Sequence, residues 1–355
     1  MNYSFHLRPI TSPDGVMPLW REISNGNTPT IFHSPDYIAC LLKQAQGTQI
    51  HLLIGEAGNK PLLLGLIGKS DGLIRHFHLG ETGDKALDSI YGEYNDFLMD
   101  PDAGGAAEDL RQQAVQFLLQ QKGVDALIAR NAIPDLVRAM EKFSGKVHIF
   151  QDQHCWQMGL PEDLQEEYFI PESVSANSRR QIRRAVELYQ ERGEIRVTQA
   201  EDETARLAYW QELAGLHQAG WQGRGQVGAF ANRAFLRFHE NLMQEAPEKI
   251  SLLRISADDS VIGILYNYIH GTCVSNYQAG FAFEEDNRLK PGLVAHIYAA
   301  GFYARQGFQT YDLLAGDARY KQSLAMKGMR LRSVELSKKT PRTILRDFTR
   351  GLRGK

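Results

Sequence analysis

A few stretches of this sequence hold groups that could do chemistry. Pro291-Gly292 stands at the head of an apolar run, Leu293–Gln306, with helical character. Proline suits a first helical turn because its missing N–H would go unpaired there, and glycine lets a ligand approach the backbone closely. The N–H groups of Leu293, Val294 and Ala295 are expected to be free at that helix end. With the helix dipole they would make an anion site suited to a pyrophosphate. Pro-Gly is also ordinary loop punctuation. His296 falls in the first turn of the same helix, where the dipole lowers its pKa and keeps the ring neutral, able to act as a base. A satisfied histidine on a helix face is the other reading. Asp312 interrupts an apolar strand, Tyr311–Ala315, where a carboxylate must be paired or functional. Arg179 with Arg183, and Arg180 with Arg184, stand at i, i+4. Like charges so placed repel unless an anion joins them, and a phosphate suits their forked geometry; a solvated charged face is the alternative. Trp221 lies among Gly220, Gly223 and Gly225 and could stack on a sugar or adenine ring, or cap the core.

These groups depend on the elements that hold them. Candidate strands run His51–Ala57, Leu62–Lys69 and Leu73–Leu79, with Gly58-Asn59 and Asp71-Gly72 as turn signals. A helix over Ala106–Lys122 places Leu110, Ala114, Phe117 and Leu118 on one face, and Val124–Ala129 is a short apolar strand. A helix after Pro134 and a strand at Lys146–Phe150 come next; Leu160–Pro171 is a connection. Helices follow at Asn177–Arg192, Glu203–Gln218 and Asn232–Glu245, with a short strand at Ile195–Thr198. Then the first pattern returns, as strands Ser251–Ser256, Val261–Ile269 and Cys273–Phe281, the helix after Pro291-Gly292, and the strand Thr310–Ala315. Meander, helix and strand thus occur twice, which reads as two copies of one α/β (α+β) fold.

Bulk properties narrow the classes. A chain of 355 residues suggests two ordinary domains, and its formal charge of −2 offers no general attraction for DNA. Cys40, Cys155 and Cys273 have neither metal-ligand nor disulfide-framework spacing, so no metal site is expected and a reducing compartment, the cytoplasm, fits. No apolar leader stands at the N-terminus and no run is long enough to span a bilayer. From Lys338 to Lys355 there are seven Lys or Arg against one acid, Asp347, with Ile344, Phe348 and Leu352 every fourth residue. That is a short basic amphipathic helix able to touch an anionic membrane or a partner, or a solvated terminus.

An ordered set of short stretches resembles one family: Ser178-Arg179-Arg180-Gln181-Ile182-Arg183-Arg184, Leu216-His217, Trp221–Gly225, Tyr266-Asn267-Tyr268, Tyr277-Gln278-Ala279-Gly280-Phe281, Leu289-Lys290-Pro291-Gly292-Leu293, Tyr311–Gly316 and Tyr320-Lys321. It resembles the GNAT-superfamily acyltransferases of the CelD and FemAB-like type, strongly over about 170–325. Phe32-His33-Ser34-Pro35 and Tyr94-Asn95-Asp96-Phe97-Leu98 resemble the family's N-terminal portion more weakly. The usual glycine-rich pyrophosphate loop is replaced by Leu289-Lys290-Pro291-Gly292-Leu293-Val294.

The resemblance implies two tandem GNAT-like domains, each a mixed sheet with an antiparallel meander and flanking helices. The expected boundaries are 1–165, 166–337 and a basic tail, 338–355. It implies transfer of an acyl group, usually acetyl from acetyl-CoA, to an amine, here of a sugar or polysaccharide precursor. Acyl-CoA is expected at Pro291, Gly292, Leu293 and Val294; Arg180, Arg184, Trp221, Tyr277 and Lys321 are the acceptor-binding candidates. Tyr320 would protonate the leaving thiolate, and Asp312 or His296 would serve the amine. No cysteine sits in a nucleophile motif, so direct attack in a ternary complex is expected. Some FemAB-like relatives use aminoacyl-tRNA, and a non-catalytic binding protein of a polysaccharide assembly system is a third reading.

Overall fold

The computed structural model describes residues 3–353 apart from 27, 91 and 224, and the backbone alone for 350–353. Arg224 and the side chain of Leu352 therefore lie outside the described residues. Two compact units emerge: Met1–Gln153 with Arg330–Lys355, and His154–Met329. The tail after Lys338 thus belongs with the first unit.

In chain order the first elements are β1 (Tyr3–Pro9), α1 (Met17–Ser24), α2 (Pro35–Gln44), β2 (Ile50–Ala57), β3 (Lys60–Ser70), β4 (His76–Leu79) and β5 (Leu98–Met99). Then come α3 (Ala107–Gln120), β6 (Ala126–Ala132), α4 (Pro134–Glu141) and the long β7 (Lys146–Gly159). The next stretch holds α5 (Ala176–Gln190), β8 (Ile195–Gln199), α6 (Glu203–Gln222), α7 (Arg233–Glu245), β9 (Ile250–Ala257), β10 (Ser260–His270) and β11 (Cys273–Phe281). The chain closes with α8 (Pro291–Arg305), β12 (Thr310–Ala315), α9 (Arg319–Leu324), β13 (Met326–Ser337) and α10 (Pro341–Arg353).

The first unit's sheet has the order β1-β2-β3-β4-β6-β13, with β4 and β6 parallel and the other neighbours antiparallel. The second unit's sheet runs β8-β9-β10-β11-β12-β7, with β11 and β12 parallel and the rest antiparallel. β9 and β10 begin 200 residues after β2 and β3. Within β3 and β10 the same seven positions are buried, Leu62–Gly68 and Ile262–Tyr268. Such unbroken burial means both sheet faces are covered. The expected repeat of meander, helix and parallel strand is therefore present in three dimensions.

In the second unit α5 and α8 cover one face, joining Ile182, Val186, Ile297 and Ala300 to Leu253, Ile255, Ile262 and Leu265. α8 is apolar all round and buried from Val294 to Gly301. Against β9, β10 and β11 lies α6, whose start is fixed by Asp202 accepting the Ala205 N–H at 2.7 Å. Gly280 on β11 permits that approach: a Cβ there would stand 2.8 Å from Leu216 Cβ and 2.9 Å from the Leu213 carbonyl oxygen.

Differences from the sequence reading have physical reasons. β4 starts only at His76, since Leu73 is 66% exposed and not part of a ladder. The strand expected at Lys146–Phe150 continues to Gly159. β1 and β13 escape a hydrophobic reading because β1 is nowhere fully buried and β13 carries Lys327, Arg330, Arg332 and Glu335.

Candidate active site

β11 and β12 pair over three positions only, Cys273–Thr310, Val274–Tyr311 and Ser275–Asp312. Just beyond, both strands are distorted. On β11 the register with β10 skips Tyr277, since Asn267 pairs with Asn276 and Tyr266 with Gln278. On β12 the register with β7 shifts between Asp312 and Ala315, and Leu314 takes a left-handed φ of 61°. Bulges bend strands and re-aim side chains, and left-handed non-glycine residues concentrate at functional sites. Here the two strands part.

A cleft opens at this level. β11 contributes Asn276–Phe281; α6 contributes Leu216, His217, Gly220 and Trp221; Ala318, Tyr320 and Lys321 come from the segment after β12. Of the residues singled out from sequence, Trp221, Tyr277, Tyr320 and Lys321 are brought together here. Asn276 was not expected here, and Gln278 stood only within a matching stretch; their polar side chains on a meander strand are the available signal.

Each cleft side chain is held in place. The Trp221 Nε1–H donates to His217 Nε2 at 2.9 Å. The Lys321 ammonium donates to the Ala315 carbonyl at 2.7 Å. Tyr277 stacks against Phe235, with centroids 6.3 Å apart and planes 14° apart. Burial pushes the Tyr320 phenol up to about 12, so it stays protonated through the neutral range. Its ring lies on His296, 4.9 Å between centroids and 6° between planes.

His296 does not line the cleft; it is fully buried behind Tyr320. Burial first, and then the nearby Lys321 charge, push its pKa down to about 3. Its Nδ1 shares a 3.0 Å hydrogen bond with the Tyr311 hydroxyl. That hydroxyl opens a buried polar network: Tyr311 and Asn276 both donate to the Asn267 Oδ1, and the Asn267 amide donates to Tyr303, which donates to Ser251. The Nε2 of His296 has no partner among the described residues.

Asp312, 2% exposed, is also outside the cleft lining. Its carboxylate accepts the Leu314 N–H at 2.8 Å and the Gln157 side-chain amide at 3.2 Å, which pins the β12 bulge. Beside it, burial and then the Asp312 charge raise the Cys273 thiol to about 11, so no thiolate is available there.

The start of α8 differs from expectation. Lys290 caps it in a left-handed conformation, φ 47°, and its carbonyl accepts the N–H groups of both Leu293 and Val294. Those two groups are not free: Val294 makes the ordinary first i, i−4 bond of the helix, and Leu293 makes a tighter i, i−3 bond to the same carbonyl. Gly292 alone of this turn keeps an N–H without an intrachain acceptor among the described residues. Arg180 and Arg184 sit apart from the cleft, in a depression with Arg183, Glu187, Glu191 and Arg288. Arg288, not among the expected site residues, pairs with Asp286 at 2.6 Å. Arg179 is taken up structurally, donating to the Val174 and Pro171 carbonyls.

Residues 176–322 match the family model described as "Acetyltransferase (GNAT) domain". No curated protein matches the sequence. Solved structures do. The C-terminal domain of a putative lysylphosphatidylglycerol synthetase from Agrobacterium fabrum is 11% identical, with a TM-score of 0.55 over 95% of this chain and 96% of that one. L-PGS from Bacillus licheniformis is 12% identical, also with a TM-score of 0.55, over 95% and 96%. FemX is 11% identical with a TM-score of 0.51 over 94% and 97%. At such identities the likeness is one of fold, and it extends along both units. Residues 176–322 thus match a GNAT acetyltransferase domain, and the chain as a whole shares the fold of these solved structures.

Proposed function

We propose that the second unit is an acyl-CoA-dependent N-acyltransferase whose acceptor is an amine of a sugar or polysaccharide precursor. One observation carries the reading: the two strands part, each through a bulge, directly beside a cleft holding a protonated tyrosine. The parted strands offer unused backbone edge for an extended pantetheine-like arm. The Gly292 N–H, at the positive end of α8, and the cations Arg180, Arg184 and Arg288 suit its phosphates.

Acyl-CoA supplies an activated thioester carbonyl. This chain supplies position and protons. A neutral acceptor nitrogen attacks while the carbon–sulfur bond breaks. Tyr320 gives its proton to the leaving sulfur, and the proton shed by the nitrogen restores the phenol. Trp221 offers a ring face, and Asn276 and Gln278 offer amides, which together suit a hydroxylated ring. His296 acts on Tyr320 by stacking and is a positioning residue. Cys40, Cys155 and Cys273 are not joined in disulfides, which fits a cytoplasmic setting. For 338–355 the reading is a peripheral contact, with a membrane or a protein.

Titration calorimetry with acetyl-CoA and longer acyl-CoAs tests the donor. Heat that shrinks in Arg184→Glu is expected; folded protein giving no heat with any of them would sink the reading. A second reading, aminoacyl transfer from tRNA, draws on the exposed arginine row of α5 and predicts an activity abolished by RNase.

A further inference from the structure

α10 is amphipathic in the inverse sense. A helix on a folded protein normally turns its apolar stripe inward and its charges outward. Here the inward face is polar. Thr343 and Arg346 are buried, Arg346 is paired with Glu335 and donates to Ser337, and Thr343 donates to the Lys338 carbonyl. Asp347, beside them, is tied to Lys146 at 2.8 Å and to Arg346 at 3.0 Å. The opposite face presents Ile344, Leu345 and Phe348, exposed by 61%, 54% and 66%. Helical spacing sets these three about 180° from Thr343 and Arg346. Charge does not dilute this face with acids. The only acidic side chain of the segment, Asp347, is engaged by Lys146 and Arg346, whereas Lys339 is exposed and Arg342, also exposed, lies 3.5 Å from the Asp125 carboxylate.

We infer that α10 docks on an anionic lipid surface, its Ile344–Leu345–Phe348 face in the headgroup layer and its flanking cations against lipid phosphates. The buried Arg346–Glu335 pair fixes the helix with that face outward, so the polarity is built into the first unit rather than left to a frayed end. A second copy of the chain is a poorer occupant. Two such faces would bring like-charged rims together, and three partly exposed side chains fall well short of the roughly 800 Å² per partner of a stable interface. The contact would lie in the interface plane, since no helix among the described residues is long and apolar enough to cross a membrane.

The test is flotation of the full-length protein with vesicles of phosphatidylcholine alone and of phosphatidylcholine with phosphatidylglycerol. Binding to the anionic vesicles only, weakening as salt rises, is expected. Replacing Ile344, Leu345 and Phe348 together by serine should cut that binding by roughly tenfold or more, as burial of three apolar side chains is lost. Because these side chains are exposed, the variant should keep its melting temperature and its acetyl-CoA heat, which separates this inference from the catalytic proposal. Equal binding to both vesicle types, no binding, or unchanged binding by the triple variant overturns it. So does sedimentation showing a dimer that the triple variant dissolves.

Discussion

The ring of Tyr320 lies flat on the ring of His296, 6° from parallel, and the tyrosine alone of the two reaches the cleft. This pairing divides the labour. The histidine is kept neutral by burial and anchored to Tyr311, while the tyrosine holds a proton at neutral pH.

Tyr320→Phe removes the proton and keeps the ring. We expect kcat to fall by about 10²–10⁴ with KM for acyl-CoA changed little, the signature of a group used in the transition state. His296→Phe keeps an aromatic surface but loses the Tyr311 bond, so a smaller loss in kcat is expected. Unaltered steady-state rates in both variants would remove Tyr320 from the chemistry.

Asp312→Asn should act on structure more than on catalysis. Its carboxylate holds the Leu314 N–H and the Gln157 amide within the β12 bulge. Urea unfolding should show a loss of about 1–3 kcal/mol, with any drop in kcat well below that of Tyr320→Phe. An Asp312→Asn enzyme as stable as the wild type but inactive would make the aspartate the catalytic base instead.

Gly280→Val should push α6 off β11, since even a Cβ would stand 2.8 Å from Leu216 Cβ. A destabilisation of about 1–3 kcal/mol is expected from this overpacking, together with weaker acceptor binding, because α6 forms one wall of the cleft. Circular-dichroism melts and acceptor KM values would register both.

Acid should destabilise the second unit early. Burial pushes both His239 and His296 down to about 3. Their unfolded forms titrate near 6.5. Between those values the unfolded chain binds more protons than the folded one, so stability is complete above about pH 6.5 and falls as pH drops. Each histidine contributes a slope of up to about 1.4 kcal/mol per pH unit. Unfolding free energies measured from pH 7 to pH 4 should flatten in His239→Phe relative to wild type; identical slopes would contradict the assignment.

Local structure was legible from residue order. Hydrophobic periodicity and turn residues located the two meanders, and β11 and β12 were bounded correctly at Cys273–Phe281 and Thr310–Ala315. Trp221, Tyr277, Tyr320 and Lys321 were chosen by type and ordered resemblance, and they share one cleft. Tertiary structure decided the rest. Only strand register shows that β11 and β12 part through paired bulges, because a one-residue insertion leaves no mark on composition. Only the structure shows where α8 begins: with Lys290 as its cap, Val294 makes the first i, i−4 bond and Leu293 a tighter i, i−3 bond to the same carbonyl, so neither N–H is free. Alternation along β12 placed neither Tyr311 nor Asp312; the packing of α8 settled which side chain meets His296. In α10 the sequence determined an amphipathic helix, but the buried partner Glu335 determined that its apolar face points outward. Periodicity specifies a face, and only long-range contacts specify which way it turns.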